Sequence, residues 1–264
     1  MYSDHKPTGY VDPEYLQAAG NHLIKIKQRS YTRMQIEPGH KVLDLGCGPG
    51  TDTIPLAPLV GVNGLVIGAD YDAAMIAEAD KLAREAGVST WVRHERVDAT
   101  EMPFKSNHFD ACRSDRLFQH LPDPGQAMAE LVRVTKPGGW IVVLDTDWGS
   151  LSIDSDETGI ERKLARFMAE SFLNNGYSGR RLYRLFKQQN LLDVTFEVFP
   201  NASTHYSIAR KAIEGGRNEQ EALKAGAITS EELQRWRAGL ERADSEGRFF
   251  CSVNTVMLTG RRPL

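Results

Sequence analysis

Cysteine is scarce in this chain of 264 residues. The three that occur, Cys47, Cys112 and Cys251, are scattered, odd in number and without C-x-x-C spacing. That argues against a disulfide framework or a structural zinc site and fits a reducing cytoplasm. No His/Asp/Glu cluster suggests another metal site, so none is expected. Long apolar runs are also missing. Nothing approaches the ~20 apolar residues of a membrane span, and the opening "MYSDHKPTGY" has no apolar signal core. Neither sign of charge dominates, the formal net charge being −3. So weak a field gives no reason to expect a polyanionic partner such as nucleic acid. Repeats, low-complexity tracts and linker-like segments are absent, which favours one domain with a helical elaboration. The chain therefore reads as soluble and cytoplasmic, with its oligomeric state undetermined.

What is present is ordinary globular composition, 41% hydrophobic and 25% charged, arranged in a telling order. From residue 41 to about 145, short β-branched runs alternate with amphipathic stretches, the pattern of a parallel sheet flanked by helices. The strand-like runs are "KVLDL" (41–45), "GLVIGAD" (64–70), "TWVRHERV" (90–97), "FDACRS" (109–114) and "GWIVVLDT" (139–146). Between them, "AAMIAEADKLAREAG" reads as a helix stopped by Gly87. "PGQAMAELVRVTKPGG" reads as another, with Asp123 as cap, Pro124 in the first turn and an inward stripe of Met128, Leu131 and Val132. The tetrad "KPGG" is expected to turn the chain into the next strand.

Two regions flank this core. Residues 12–35 predict a helix with Leu16, Ala19, Leu23 and Ile26 on one side. After residue 150 come a helix carrying Ile160, Leu164, Phe167 and Met168, a second over about 178–190, and a strand "DVTFEVF". A polar helical stretch follows over 203–246, in which Thr229 and Glu232 form a capping-box pattern. "FFCSVNTVMLTG" is the last strand.

The stretch "DLGCGPG" (44–50) sits at the first strand-to-helix turn, where open α/β sheets bind ligands. Glycine there permits tight dihedrals and lets backbone N–H groups approach a ligand. The spacing of Gly46, Gly48 and Gly50 is G-x-G-x-G with an acid two residues before, which does not match the dinucleotide fingerprint G-x-G-x-x-G.

This D-x-G-x-G-x-G stretch after a strand resembles the first motif of class I S-adenosylmethionine (SAM) dependent methyltransferases. Further landmarks agree in order and distance: Asp70 at the end of "GADYDAAMI", "RVDAT" after the third strand, and "MPFKSNHFDACRSDRLFQHLPDP" and "ELVRVTKPGGWIVVLD" as the fourth strand and the approach to the fifth. The ending "GRFFCSVNTVMLTGRRP" is similar to the terminal strand of small-molecule members related to quinone-biosynthesis methyltransferases. The resemblance spans roughly residues 15–262 and is strongest in 41–146. It implies an α/β fold with a Rossmann-like, seven-stranded, mostly parallel sheet, flanking helices and a helical lid. Residues 1–35 would form an N-terminal helical cover, 36–200 the SAM-binding core, 201–247 a helical lid insertion and 248–264 the terminal strand.

The resemblance also implies residue roles. Asp70 would accept the ribose hydroxyls, Asp98 and Ala99 would bind adenine with Met75 packed against it, and Asp44 would orient the glycine loop or meet the ligand's amino group through water. Ser114 would lie where backbone meets the methionine amino group, and Arg29, in preference to Arg33, would supply a cation to the methionine carboxylate. His120, in "FQHLPDP", lies beyond the fourth strand on the ligand edge and is the first choice for a base or substrate contact; packing of the following turn is the competing role. Asp145, Asp147 and Trp148 are placed to line an acceptor pocket, while His205 and Tyr206 belong to the presumed cover.

The reaction implied is methyl transfer from SAM to a small organic acceptor by in-line displacement, which needs alignment more than covalent catalysis. Two readings stay open beside it: a SAM-binding enzyme that cyclises or decarboxylates without methylating, and a SAM sensor without turnover. The acceptor, and whether its oxygen, nitrogen or carbon is methylated, is not legible.

Overall fold

The computed structural model describes residues 24–264. The first half of the expected 12–35 helix, with Leu16, Ala19 and Leu23, lies outside the described residues. Strands β1 (Lys41–Leu45), β2 (Leu65–Asp70), β3 (Val92–Arg96), β4 (Phe109–Asp115), β5 (Thr135–Ile153), β6 (Leu192–Ser203) and β7 (Cys251–Arg261) form one seven-stranded sheet in the order β3-β2-β1-β4-β5-β7-β6. The first five pair in parallel, and β7 runs antiparallel between β5 and β6. The chain passes outward from β1 through β2 to β3, then crosses to β4 on the other side of β1. That reversal opens a crevice at the C-terminal ends of β1 and β4.

Period-two alternation distributes the apolar residues to two faces. Leu43, Leu45, Ile67, Cys112 and Val143 pack on one side of the sheet, and Val42, Val66, Ala111, Val142 and Leu144 on the other. Helices cover both: α1 (Ile24–Arg33), α2 (Thr53–Val60), α3 (Ala73–Glu85), α4 (Pro124–Val134), α5 (Thr158–Phe167) and α6 (Ser178–Gln188). The caps read from the sequence form. Asp123 accepts from Gln126 N at 2.9 Å with Pro124 in the first turn, and Gly87 closes α3 at φ +71°. Each such cap is worth about 1 kcal/mol.

Three elements differ from the expectation. A helix, α2, occupies "TIPLAPLV", a stretch to which the sequence patterns above assign no element. Pro55 lies in the first turn, where its missing N–H costs nothing, and burial of Leu56, Ala57 and Val60 carries the segment past Pro58. The "KPGG" turn is a bulge within the 19-residue β5. Residues 136–139 loop out between the pairs Phe109–Thr135 and Ala111–Trp140. Gly138 takes the positive φ, +78°, and a Cβ at Gly139 would strike Asp110 O at 2.6 Å. The polar stretch before β7 is three helices, α7 (Tyr206–Ala212), α8 (Gly215–Lys224) and α9 (Ser230–Ser245), the last starting at the expected Thr229/Glu232 capping box. With α5 they enclose their own core of Leu164, Ala222, Trp236 and Phe249.

Candidate functional site: a glycine cradle at the carboxyl edge of the sheet

The turn after β1 is stitched to β2, Gly46 N and Cys47 N both donating to Ala69 O at 2.7 and 3.1 Å. Gly46, Gly48 and Gly50 all hold positive φ, +75°, +53° and +79°. Conformation alone therefore disfavours side chains at these positions, and packing adds to it. A Cβ at Gly46 would lie 2.9 Å from Leu117 Cβ, and one at Gly50 would lie 3.0 Å from Ala79 Cβ. Asp70 braces the same turn: Oδ2 accepts from Gly48 N at 2.8 Å and Oδ1 from Asp72 N at 3.0 Å. Burial raises its carboxyl pKa, and the two N–H donors partly restore the ionised form. Each oxygen keeps a second lone pair, so a diol can still be accepted there.

Next to the cradle lies a buried charge cluster that the sequence patterns do not assemble. Arg113, fully buried on β4, places Nη1 2.9 Å from Asp44 and 3.2 Å from Asp52, and Nη2 3.6 Å from Asp115. Lys27 of α1 adds its Nζ 2.5 Å from Asp52 and 3.2 Å from Thr51 Oγ1, and the Tyr31 hydroxyl donates to Asp52. Lys27, Ser30, Tyr31 and Met34 share one helix face at i, i+3, i+4, i+7, and that whole face is buried. Burial, reinforced by Asp52 and Asp115 against the attraction of Arg113 and Lys27, pushes the Asp44 carboxyl up to about 7. Arg113 and Lys27 hold Asp52 well below the usual carboxylate range despite its burial. Arg116 adds its Nε 3.3 Å from Asp115, so three acids face three cations. The visible signal is an arginine in the middle of the strand "FDACRSD", in register with the acid of "KVLDL".

At the ends of β4 and β5, Gln119 is the hub. Its backbone N–H donates to Asp145 Oδ2 at 2.8 Å, its Oε1 accepts from Trp148 Nε1 at 2.7 Å, and its Nε2 lies 3.0 Å from His120 Nε2. With Oε1 taken by the indole, the amide nitrogen is the donor, and His120 Nε2 is therefore the acceptor. Burial, with Arg116 and Arg217 nearby, lowers the His120 pKa to about 4, so the ring is neutral at ordinary pH. Asp145 also accepts from Thr146 N and Ser178 Oγ, and burial nonetheless pushes it up to about 7. It clamps a 3₁₀ turn (Phe118–His120) to α6.

The structure distributes the sequence-predicted residues unevenly. Asp44, Gly46, Gly48, Gly50 and Asp70 converge on the one turn. Met75 is buried in α3 and Ala99 is buried after β3, while exposed Asp98 accepts from Thr100 N at 2.8 Å. Ser114 is buried at the end of β4 and its hydroxyl has no hydrogen-bond partner among the described residues. Arg29 points elsewhere: its Nε donates to Glu197 on β6 at 3.1 Å, as Arg33 Nε does at 2.7 Å. The α1 cation directed at the turn is Lys27, because the buried stripe of the helix passes through 27 and not 29. Asp147 is taken by Arg180 at 2.8 and 2.9 Å. His205 is exposed, and Tyr206 lines a recess among α5 and α7–α9, away from the cradle.

Sheet order, cradle and acid at the end of β2 together define a class I SAM-dependent methyltransferase. The chain belongs to the methyltransferase-domain family, whose model matches residues 36–225. It is 32% identical over 238 residues to an uncharacterised 37.1 kDa protein of a Streptomyces fradiae transposon, covering 88% of this chain and 67% of that one. It is also 32% identical over 142 residues to demethylmenaquinone methyltransferase of Lactobacillus johnsonii, covering 52% of this chain. That match spans little more than half, 57%, of the quinone enzyme's length. Among solved structures, geranyl diphosphate C-methyltransferase of Streptomyces coelicolor, solved with S-adenosyl-L-homocysteine, superposes with a TM-score of 0.59 over 90% of this chain and 76% of that one, at 16% identity. The cofactor is SAM, and the residues present fit it. The cradle bars side chains, and among the described residues the buried oxygens Asp44 Oδ2, Asp115 Oδ2 and Ser114 Oγ lack hydrogen-bond partners at the ends of β1 and β4. Such buried oxygens suit a ligand carrying an ammonium group.

Proposed function

We propose that this methyltransferase acts on a small organic acceptor enclosed between the carboxyl edge of the sheet and the helices α7, α8 and α9, which serve as its lid, with the N-terminal segment as a second cover. The observation that supports the reading is the approach of α8 to the segment beside the 3₁₀ turn. Arg217, on α8, lies 5.3 Å over the Phe172 ring and its charge helps to lower the His120 pKa. A helical roof at that edge would suit a small acceptor better than a protein or nucleic acid, which would need an open groove.

In this reading the main chain of residues 46–50 carries the methionine portion of SAM. Asp70 takes the ribose hydroxyls, Asp98 and Ala99 take the adenine edge with Met75 beneath, and Ser114 with Asp44 answers the amino group. Lys27 replaces Arg29 as the cation nearest the methionine carboxylate. When bound, SAM supplies an electrophilic methyl on sulfur. The chain then has to exclude water and hold the acceptor in line, which supplies most of the rate. His120 contributes a neutral ring whose Nε2 lone pair is engaged by Gln119, so it orients the acceptor and does not remove its proton.

Calorimetry with SAM, followed by an acceptor screen with methyl-labelled SAM read by mass spectrometry, tests this. Label in a small acceptor supports the proposal. Unlabelled rearranged products would point to the cyclising or decarboxylating alternative. Label only in protein or nucleic acid would refute the small-acceptor reading.

A further inference from the structure

The edge strand β6 presents an apolar face that no element covers among the described residues. From Val194 to Ala202 successive side chains alternate between the two sides of the sheet. On one side Glu197 meets Arg29 and Arg33 of α1, and Phe199 packs with the core beneath that helix. The other side reads Val194, Phe196, Val198, Pro200, Ala202, apolar at every position. Val194 is half-buried against the cluster of Leu182, Phe186 and Leu258, but Phe196 is 65% and Val198 50% exposed. Edge strands are ordinarily protected by charge, and this face has none. Asn254, opposite Pro200, turns its N–H toward Ser150 on β5, so Pro200 turns its nitrogen to the open edge. That position cannot donate to an added strand, and an occupant would cover the face rather than extend the sheet.

Helix α6 flanks the same face. Its residues Arg180, Tyr183, Arg184 and Lys187, at i, i+3, i+4, i+7, share one side of the helix and all are exposed. The Tyr183 and Phe196 rings meet edge-on with centroids 6.4 Å apart, which joins the helix stripe to the strand face. Residues 178–190 contain four cations and no acid. Arg180 is answered by Asp147 and Arg181 by the neutral amide of Asn175, while Arg184 and Lys187 have no ion-pair partner among the described residues. The chain as a whole carries −3, so this positive surplus is local.

A nucleic acid would use the cations and leave the apolar face in water. A second copy of the chain would bring the same surplus of cations to the contact. An anionic lipid surface answers both features, because arginine and lysine reach its headgroups while aromatic and aliphatic side chains enter the interface. We propose that β6 and α6 form a peripheral docking surface for an anionic lipid bilayer, with Phe196 and Val198 entering the interface and Arg184 and Lys187 meeting the headgroups. No residue of the 46–50 turn or of the Arg113 charge cluster belongs to this surface.

The test is sedimentation of the full chain with vesicles of phosphatidylcholine alone and of equal parts phosphatidylcholine and phosphatidylserine. Binding is expected to the second kind only, weakening as salt is raised. The double variant Arg184→Gln, Lys187→Gln is expected to weaken it about thirtyfold, and Phe196→Ser, Val198→Ser about tenfold. Circular dichroism checks that both variants fold. No binding to the anionic vesicles, equal binding to the neutral ones, or binding that ignores either pair of substitutions would each overturn the proposal. So would tighter binding to a single-stranded oligonucleotide, or a dimer in light scattering that the serine pair dissociates. No step uses SAM, so a failure here leaves the reading of the SAM site standing.

Discussion

Thr53 Oγ1 and His94 Nε2 lie 2.9 Å apart beneath the glycine turn. The far side of the imidazole, Nδ1, is 2.9 Å from Asp80 Oδ1 on α3, and Thr53 Oγ1 is also 3.1 Å from Gly50 O. The ring packs so closely that a Cβ on Gly68 would reach it at 2.6 Å. Side chains from α2, β3 and α3 thus grip the peptide that ends the cradle. Thr53→Val, which keeps the shape and removes the hydroxyl, is expected to weaken SAM binding about tenfold by calorimetry, in line with losing one or two buried hydrogen bonds. Thr53→Ser should restore most of it. Unchanged affinity in a folded Thr53→Val protein would separate this grip from the cofactor.

Two glycines with similar dihedrals should answer differently to alanine. At Gly87, φ +71°, an added Cβ would have nothing within 4 Å, whereas at Gly50, φ +79°, it would have Ala79, Thr53 and His94 within 3.2 Å. Gly87→Ala is expected to cost about 1–2 kcal/mol in urea unfolding, the left-handed penalty alone, with SAM affinity intact. Gly50→Ala should cost more and reduce SAM affinity over tenfold.

Removing Arg113 leaves three buried carboxylates facing one another. Arg113→Met is expected to destabilise the protein by about 3–5 kcal/mol, measured by chemical denaturation. Adding Asp44→Asn to that variant should recover part of the loss, because it removes one of the uncompensated charges. If the single variant is as stable as the wild type, the cluster does not hold α1 to the sheet.

Asp145 and His120 predict opposite slopes of stability against pH. Burial raises the Asp145 carboxyl to about 7, so the folded protein binds its proton more tightly than the unfolded chain. Its contribution is present at low pH and is lost as pH rises from about 4 to about 7, with a slope of at most about 1.4 kcal/mol per unit. For His120, burial lowers the pKa to about 4, the unfolded chain binds more proton, and stability rises between about pH 4 and 6.5. Asp145→Asn should flatten the first trend and His120→Gln the second, in thermal melts across pH 4–8.

His120 also makes a kinetic prediction. A general base typically contributes 10²–10⁴ in rate, whereas an orienting ring already bonded to Gln119 contributes less. Once an acceptor is found, His120→Gln is expected to lower kcat by less than about tenfold, with no acid limb near pH 6.5 in the wild-type profile. A loss of a hundredfold or more would return His120 to the role of base.

Much of the fold is legible in the residue order alone. Alternation at period two and helical stripes between turn signals set the parallel order of the first five strands, since those are local patterns. Gly46, Gly48, Gly50 and Asp70 are legible for the same reason: backbone geometry at a strand end demands particular residues within a few positions. Helix α2 is not, because its two prolines oppose a helix locally and only burial of Leu56, Ala57 and Val60 against the sheet overrides them. The "KPGG" segment supplies the right dihedral at Gly138 but not its setting inside a continuing strand.

The sequence by itself determined the cradle and the acid beside it, because dihedral freedom and strand ends are properties of adjacent residues. Tertiary structure alone decided which cation faces that cradle, Lys27 and not Arg29, since a two-residue step on a helix turns a side chain to the opposite side. It alone decided that Asp44, Asp52 and Asp115 surround Arg113 and that Asp145 clamps Ser178 and Gln119, for these partners are far apart in the chain. Their strength comes from shared burial, which no local pattern records.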